Sequence, residues 1–431
     1  MNVLMMTNTY LPIVGGVSRS VDTYSEALRR RGHRVLVVAP AHDEAPEEEP
    51  GVVRVPATSS FSSNESPVRL PIPGYLSSTV RAFRPDIVHA HHPFFLGATG
   101  LRVAAPRNLP VVFTHHTMYE HFTHYVPVDR EALGRFTVRL ATEFANLCDR
   151  VIAPSRSVER VLRERGVTRP ITVLPTGIDT GAFARGDGRA ARQRHDIPPQ
   201  AFVVGHVGRL ALEKNLVFLA EAVALFLRKR AEAYFFVVGN GAAREDIQAV
   251  CERAGVADRL RMSDGELSGK ELADAYRAMD LFAFASQSDT QGMVLAEAMS
   301  AGMPVVAVDA PGARDIIRDR VNGRLLREEN VRRFAGAIDW VATAEPEVRA
   351  ALRQAALKTA AEFSIDRCVE RLYGVYRAAQ ASHYQKDRSR GVIGRLSRRI
   401  GVEYHLWGNV ASALYDAAAG ESHTLRPKQM M

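Results

Sequence analysis

The sequence predicts an α/β chain of two Rossmann-like domains that face each other across a cleft. Three observations carry this expectation. From Asn2 to Leu174, short apolar runs alternate with amphipathic helical stretches, the pattern of a doubly wound parallel sheet. A second series of the same kind begins at Phe202. The length of 431 residues exceeds one ordinary core, so two domains of about 200 residues each are expected.

In the first series the strands are expected at 2–6, 34–39, 87–90, 110–114, 150–153 and 171–174. A helix over 18–31 sets Val21, Tyr24, Ser25 and Leu28 on one stripe and turns Arg29, Arg30 and Arg31 to solvent. Residues 185–200 are polar and rich in Gly and Pro, which reads as a linker between a domain at 1–184 and one at 201–362. The second series places strands at 202–207, 234–238, 260–262, 281–285, 305–308 and 323–326. Such sheets bind ligands beyond the carboxyl ends of their strands, and two of them facing each other put the site in the cleft. The pattern is helical over 330–382, with a helix at 363–385 expected to return to the first domain. A basic tail follows at 386–431, with eight basic residues against four acidic. Its run from Gly391 to Ile400 fits an amphipathic helix with Val392, Ile393, Leu396 and Ile400 on one side; a solvated tail and a membrane- or partner-binding helix are both open.

Composition narrows the class. Hydrophobic residues at 46% and charged residues at 24% are those of a globular protein. No apolar run reaches the roughly 18 residues of a membrane span, and the immediate strand Val3 to Met6 leaves no room for a signal peptide. Cys148, Cys251 and Cys368 form neither a disulfide framework nor a CxxC pair, so a cytoplasmic location is expected. The net charge of +8 suits an anionic small substrate, nucleic acid or an anionic membrane surface and chooses among none of them; on the motifs that follow, no nucleic acid partner is expected.

Chemistry concentrates in a few turns. The run Asp289-Thr290-Gln291-Gly292-Met293-Val294-Leu295-Ala296-Glu297 leads from a strand into a helix. Gly292 admits close backbone approach, and the amides of Met293 and Val294 at the helix start make a diphosphate site. Asp289 in the loop suits sugar hydroxyls, and Glu297 two turns on suits ribose hydroxyls; equally, the first reads as a helix cap and the second as a surface acid. Arg209 and Lys214, five positions apart beyond a strand end, form a clamp for a leaving diphosphate. The turns at Gly239 and at Gly15-Gly16 are Gly-permitted strand-to-helix turns. His89, His91 and His92 follow one strand, and His115, His116, His121 and His124 the next. Without Cys or HExxH spacing they read as a polar pocket, and no metal site or cofactor is expected.

Together these segments resemble the family 4 glycosyltransferases, retaining enzymes of the GT-B fold. The matching segments are Pro12 to Gly16, Pro85-Asp86-Ile87-Val88-His89-Ala90-His91, Ala153-Pro154-Ser155 and Pro175-Thr176-Gly177-Ile178-Asp179. They continue in order with Gly208 to Asn215, Gly239-Asn240-Gly241 and the acidic motif closing in Glu297-Ala298-Met299. The resemblance covers about residues 1–380 and leaves the tail without a counterpart.

By this resemblance Arg209 and Lys214 grip the donor diphosphate, and Glu297 the ribose. Gly15 and Gly16 approach the phosphates, and Gly265 to Leu267 the base. Asp289 stands where the family carries the first Glu of its Glu-x7-Glu motif and is one methylene shorter. His116 matches the family His near the donor sugar and acceptor. A narrower likeness, in His91-His92-Pro93-Phe94, Thr114 to Glu120, His124-Tyr125 and Thr290-Gln291-Gly292, is to the diacylglycerol glucosyltransferases. It implies an acceptor site at His91, His116, Tyr119, His124 and Tyr125, a lipid acceptor, and a peripheral place on the inner membrane face. Gln291 replaces the apolar residue most of the family carries. The implied donor is a nucleotide sugar, UDP-glucose first, with other UDP-hexoses and GDP-mannose behind it. A soluble acceptor, a sugar-nucleotide epimerase and an inactive binding protein are the alternatives.

Overall fold

The computed structural model describes residues 1–46, 48–59, 69–71, 76–120, 130–386 and 392–419. Among these, the chain forms two compact units, one of Met1–Gly177 with Cys368–Met431 and one of Ile178–Arg367.

Unit 1 opens with β1 (Asn2–Met6), α1 (Gly16–Arg30), β2 (Arg34–Pro40), β3 (Val52–Val55), β4 (Ala57–Ser59), β5 (Arg69–Pro71) and α2 (Ser77–Phe83). It continues with β6 (Ile87–Ala90), α3 (Leu96–Ala104), β7 (Val111–Thr114), α4 (Arg130–Leu147), β8 (Arg150–Ala153), α5 (Arg156–Glu164) and β9 (Ile171–Val173). Its seven-stranded sheet has the order β3-β2-β1-β6-β7-β8-β9 and is parallel throughout. The strands are nearly continuous apolar runs because helices cover both faces; β2 is buried everywhere except Arg34.

Unit 2 comprises α6 (Thr180–Ala184), α7 (Gly188–Arg194), β10 (Phe202–Val207), α8 (Leu216–Leu227), β11 (Ala233–Val238), α9 (Arg244–Arg253), β12 (Leu260–Met262) and α10 (Gly269–Ala278). After these come β13 (Leu281–Phe284), α11 (Met293–Ser300), β14 (Val305–Val308), α12 (Pro311–Arg314), β15 (Gly323–Leu326), α13 (Val331–Ala342) and α14 (Pro346–Ala360). Its six-stranded parallel sheet runs β12-β11-β10-β13-β14-β15. α8 is apolar almost all round and fills the core between this sheet and α13. The chain then enters α15 (Ile365–Lys386), which buries Cys368, Leu372, Tyr376 and Ala379 in unit 1, and ends its described part with α16 (Val392–Ala419). All three cysteines are free and buried.

In each sheet the strand order reverses at one place, between β1 and β6 in unit 1 and between β10 and β13 in unit 2. Helices leave these neighbouring strands toward opposite faces, so a crevice opens at their carboxyl ends.

Two expectations are corrected here. Residues 185–200 are no free linker, because α7 lies within unit 2 and the division of the chain falls at Gly177–Ile178. The Asp187 carboxylate caps α7 by accepting from the Arg189 and Ala190 amides at 3.1 Å, and Ala191 is fully buried. A Cβ at Gly186 or Gly188 would stand 2.2 or 2.1 Å from the carbonyl oxygens of Ala273 and Arg277. Those glycines mark close packing on α10 where composition read as a linker. The tail, for its part, is one helix through residues 392–419 and packs on α4 and α3. Residues 420–431 lie outside the described part, as do His121 and, of the expected acceptor site, His124 and Tyr125.

Candidate active site

The crevice of unit 2 is charged. β10 ends at Val207 and its chain turns through Gly208 and Arg209, while β13 ends at Phe284 and leads to Asp289. Lys214 Nζ donates to Asp289 Oδ2 at 2.8 Å, joining the two halves of the switch point. Burial works against ionisation of Asp289, but the Lys214 ammonium and hydrogen bonds from Lys214 and Ser286 hold its carboxyl below the usual range. Arg209 pairs with Glu213 one turn on. The sequence reading brought Arg209, Lys214 and Asp289 to these strand ends without foreseeing either ion pair.

Gly292, at φ +68°, precedes α11 and turns the chain so that the first amides of the helix face out of the crevice end. A Cβ there would lie 2.9 Å from the Gly312 carbonyl, so α12, which follows β14, closes against this turn. Met293 and Val294 are the first residues of α11, and Gln291 beside them is buried. Glu297, one turn further, is also buried and accepts from Tyr276 Oη at 2.7 Å, which fixes its orientation between α11 and α10.

Neighbouring loops touch backbone to backbone. A Cβ at Gly239 would stand 1.9 Å from the Gly208 carbonyl, and the Leu210 amide donates to Asn240 O at 2.8 Å. Ser263 ties the next turn in, accepting from Gly239 N and donating to Gly265 O at 2.6 Å. Gly265 is open to its surroundings, whereas Leu267 packs partly into the core.

One residue here escaped the sequence reading. His206 lies on buried β10, its Nδ1 3.1 Å from the Ala283 carbonyl, while Nε2 meets no hydrogen-bond partner among the described residues. Burial pushes it down to about 4 despite that carbonyl bond, so it is neutral beside Lys214 and Asp289. The available signal was a histidine inside an otherwise apolar strand, two residues before Gly208.

The crevice of unit 1 is built of neutral histidines. His91 follows β6, its amide bonded to Met6 O at 2.9 Å, and its Nδ1 lies 2.9 Å from His116 Nε2. Burial holds both rings well below the ordinary histidine range, and each neighbouring ring adds to it. One of the pair therefore donates and the other accepts. His89 is held between Tyr376 Oη at 2.8 Å and Thr114 Oγ1 at 2.7 Å, and burial lowers it to about 3. His92 accepts from the Asn8 amide at 3.1 Å. The ring nitrogens of His115, lowered to about 4, and the Tyr119 hydroxyl are buried with no hydrogen-bond partner among the described residues. The structure thus brings His91, His116 and Tyr119 to one end of the sheet, and it adds Tyr376, which no motif pointed to, and Asn8, at the start of the loop that leads to Gly15-Gly16. Gly15 caps α1 in extended backbone, and nothing stands within 4 Å of a Cβ at Gly15 or Gly16. Among the described residues, no three His, Cys, Asp or Glu side chains are grouped to hold a metal ion.

Known proteins share this architecture. Residues 14–182 match the model of Glycosyltransferase Family 4, and residues 187–359 that of Glycosyl transferases group 1. A GDP-mannose-dependent alpha-mannosyltransferase of Mycobacterium tuberculosis is 33% identical over 335 residues, 75% of this chain and 83% of the relative. An alpha-monoglucosyldiacylglycerol synthase of Streptococcus pneumoniae is 28% identical over 359 residues, 81% of this chain and 80% of the relative. Sucrose-phosphate synthase of Thermosynechococcus elongatus shares the fold, with a TM-score of 0.71 at 19% identity over 88% of this chain and 99% of that one. Two parallel α/β units, a charged switch point in the second and matches to both halves in order identify the chain as a hexosyltransferase that belongs to glycosyltransferase family 4.

Proposed function

We propose that the enzyme transfers glucose from UDP-glucose to a membrane lipid hydroxyl such as that of diacylglycerol, with retention of anomeric configuration. The observation that carries the donor half is the placement of charge at the unit 2 switch point. Lys214, Arg209 and the first amides of α11 gather at the strand ends where a diphosphate sits in this topology. As the glycosidic bond to the diphosphate breaks, negative charge grows on the departing oxygen. Arg209, Lys214 and the Met293 amide stabilise it there. Asp289 orients the sugar hydroxyls, Glu297 the ribose, and the Gly265–Leu267 turn the base.

The acceptor hydroxyl attacks the face the diphosphate leaves, through an oxocarbenium-like transition state, and gives up its proton to the departing diphosphate oxygen. The neutral His91–His116 pair and Tyr119 suit an uncharged hydroxyl in an apolar setting, which is what a diacylglycerol presents. The likeness to the Streptococcus pneumoniae synthase over four fifths of both chains supports this acceptor. A second reading, GDP-mannose as donor, is favoured by the Mycobacterium tuberculosis mannosyltransferase.

A thermal-shift panel of nucleotide sugars separates the two. The true donor at 100 times its Kd stabilises the protein by about 2.7 kcal/mol. UDP-glucose is expected to do so and GDP-mannose is not; the reverse result replaces the first donor with the second. Product analysis with diacylglycerol then tests the acceptor. If Arg209→Ala and Lys214→Ala leave turnover unchanged, the assigned donor site is wrong.

A further inference from the structure

α16 lies past residue 359, where the second family model ends, and is fastened to unit 1 along one side. Val402 and Leu406 pack on the core, and Ala413 is fully buried. Arg102 donates to both carboxylate oxygens of Glu403, at 2.7 and 3.1 Å. Arg135 reaches the Ala417 carbonyl at 3.1 Å, and Arg398 that of Ala105 at 3.1 Å.

The other side of the helix is apolar and open. Ile400 is 61% exposed, Tyr404 74%, Trp407 68% and Leu414 57%, with exposed Ala411 between the last two. Their spacing aligns them in one stripe. From Ile400 to Leu414 the sequence carries no Asp, Lys or Arg, and its one Glu, Glu403, is held by Arg102; the exposed His405 lies beside Tyr404. A helix face that merely met water would be laced with charge.

We infer that this outward stripe of α16 docks the enzyme on an anionic lipid bilayer. Charge complementarity selects that occupant. Immediately before the stripe, residues 386–400 carry six basic side chains against the single acid Asp387. Basic residues beside Trp and Tyr are the composition of helices that lie in the headgroup region. Among the described residues no helix is long and apolar enough to cross a membrane, which leaves α16 to lie along the surface. The spacing of the stripe also fits a seam between two copies of the chain. Against this, Glu403 within the stripe is already held by Arg102, and the basic cluster repels its own copy while attracting anionic lipid.

The inference draws its purpose from the lipid acceptor proposed above, but its test reads binding, so either can fail alone. In the full chain, Trp340→Phe leaves Trp407 as the sole tryptophan. Vesicles of phosphatidylcholine with phosphatidylglycerol are expected to shift its emission to the blue and to co-sediment the protein, and phosphatidylcholine alone much less so. A triple variant, Ile400→Ser with Tyr404→Ser and Trp407→Ser, is expected to lose at least about tenfold in partitioning. Its retained donor-induced thermal shift shows that the fold is intact. Unshifted Trp407 emission with anionic vesicles overturns the proposal. So does a lipid-free dimer of the wild type that the triple variant dissociates. Binding without any transfer to diacylglycerol keeps the docking surface and removes the acceptor assignment.

Discussion

The two switch points share one topology and differ in electrostatics. In unit 2 the strand ends carry ionised pairs, Lys214 with Asp289 and Arg209 with Glu213. In unit 1 the ends of β6 and β7 carry buried His91 and His115 with half-buried His116 and Tyr119, all held in their neutral forms by desolvation. Geometry decides where a ligand sits in such a sheet, and the side chains at that place decide which ligand. A charged crevice suits a diphosphate and a neutral one suits an alcohol.

The largest expected effect is on acid stability. His89, His91, His92, His115 and His116 all have folded values depressed below the ordinary 6.5, with His92 and His115 near 4. The unfolded chain takes up these protons first as pH falls. Stability is therefore full above about pH 6.5 and drains toward pH 4, by about 1.4 kcal/mol per pH unit for each proton. Unit 2 carries one such deeply buried ring, His206. Hydrogen exchange followed by mass spectrometry between pH 7 and 4.5 is expected to show unit 1 opening before unit 2. Simultaneous opening would break the contrast.

Catalysis offers the next test. Lys214→Ala strands the Asp289 carboxylate and removes a charge from the leaving group, so kcat/KM is expected to fall about a hundred- to a thousandfold. His116→Ala removes one neutral hydrogen bond, and a loss of about tenfold is expected. Equal losses would mean that the two crevices do not divide the work as their charges imply.

The smallest effects separate glycines kept for the fold from those kept for a ligand. Gly292→Ala sets a side chain at φ +68° against the Gly312 carbonyl and is expected to cost about 1–3 kcal/mol in thermal denaturation. Gly15→Ala meets open space in extended backbone and is expected to change stability by less than about 0.5 kcal/mol. A rise in donor KM for Gly15→Ala, with Tm unmoved, sharpens the view that its backbone is approached by substrate.

Much of the fold was legible because buried parallel strands are apolar throughout. Every strand expected in either sheet is present, within a residue at each end. β3, the short edge strand, was missed, since four residues beside an acidic run give little pattern. α7 was read as linker because glycine marks tight packing and looseness with the same letter. At the site, the motifs put Lys214 and Asp289 beyond the ends of β10 and β13 and Gly292 at the start of α11, where the structure has them. The sequence could not show that Lys214 bonds Asp289 across 75 positions or that Tyr376 supports His89 across 287. Such contacts depend on how distant strands stack, and local pattern carries no record of that.

The division of the chain into units also has a temporal meaning. Unit 2 is one unbroken segment, whereas unit 1 lacks Tyr376 and the rest of its closing helices until the far end of the chain is made. A chain emerging from the ribosome usually settles its leading domain first. Here the trailing unit has all its residues earlier, and the histidine crevice waits for the last helices to seal it. Until then the part of unit 1 that these helices seal, around His89 of β6, stays uncovered, and a chaperone has most to protect in the half that was synthesised first.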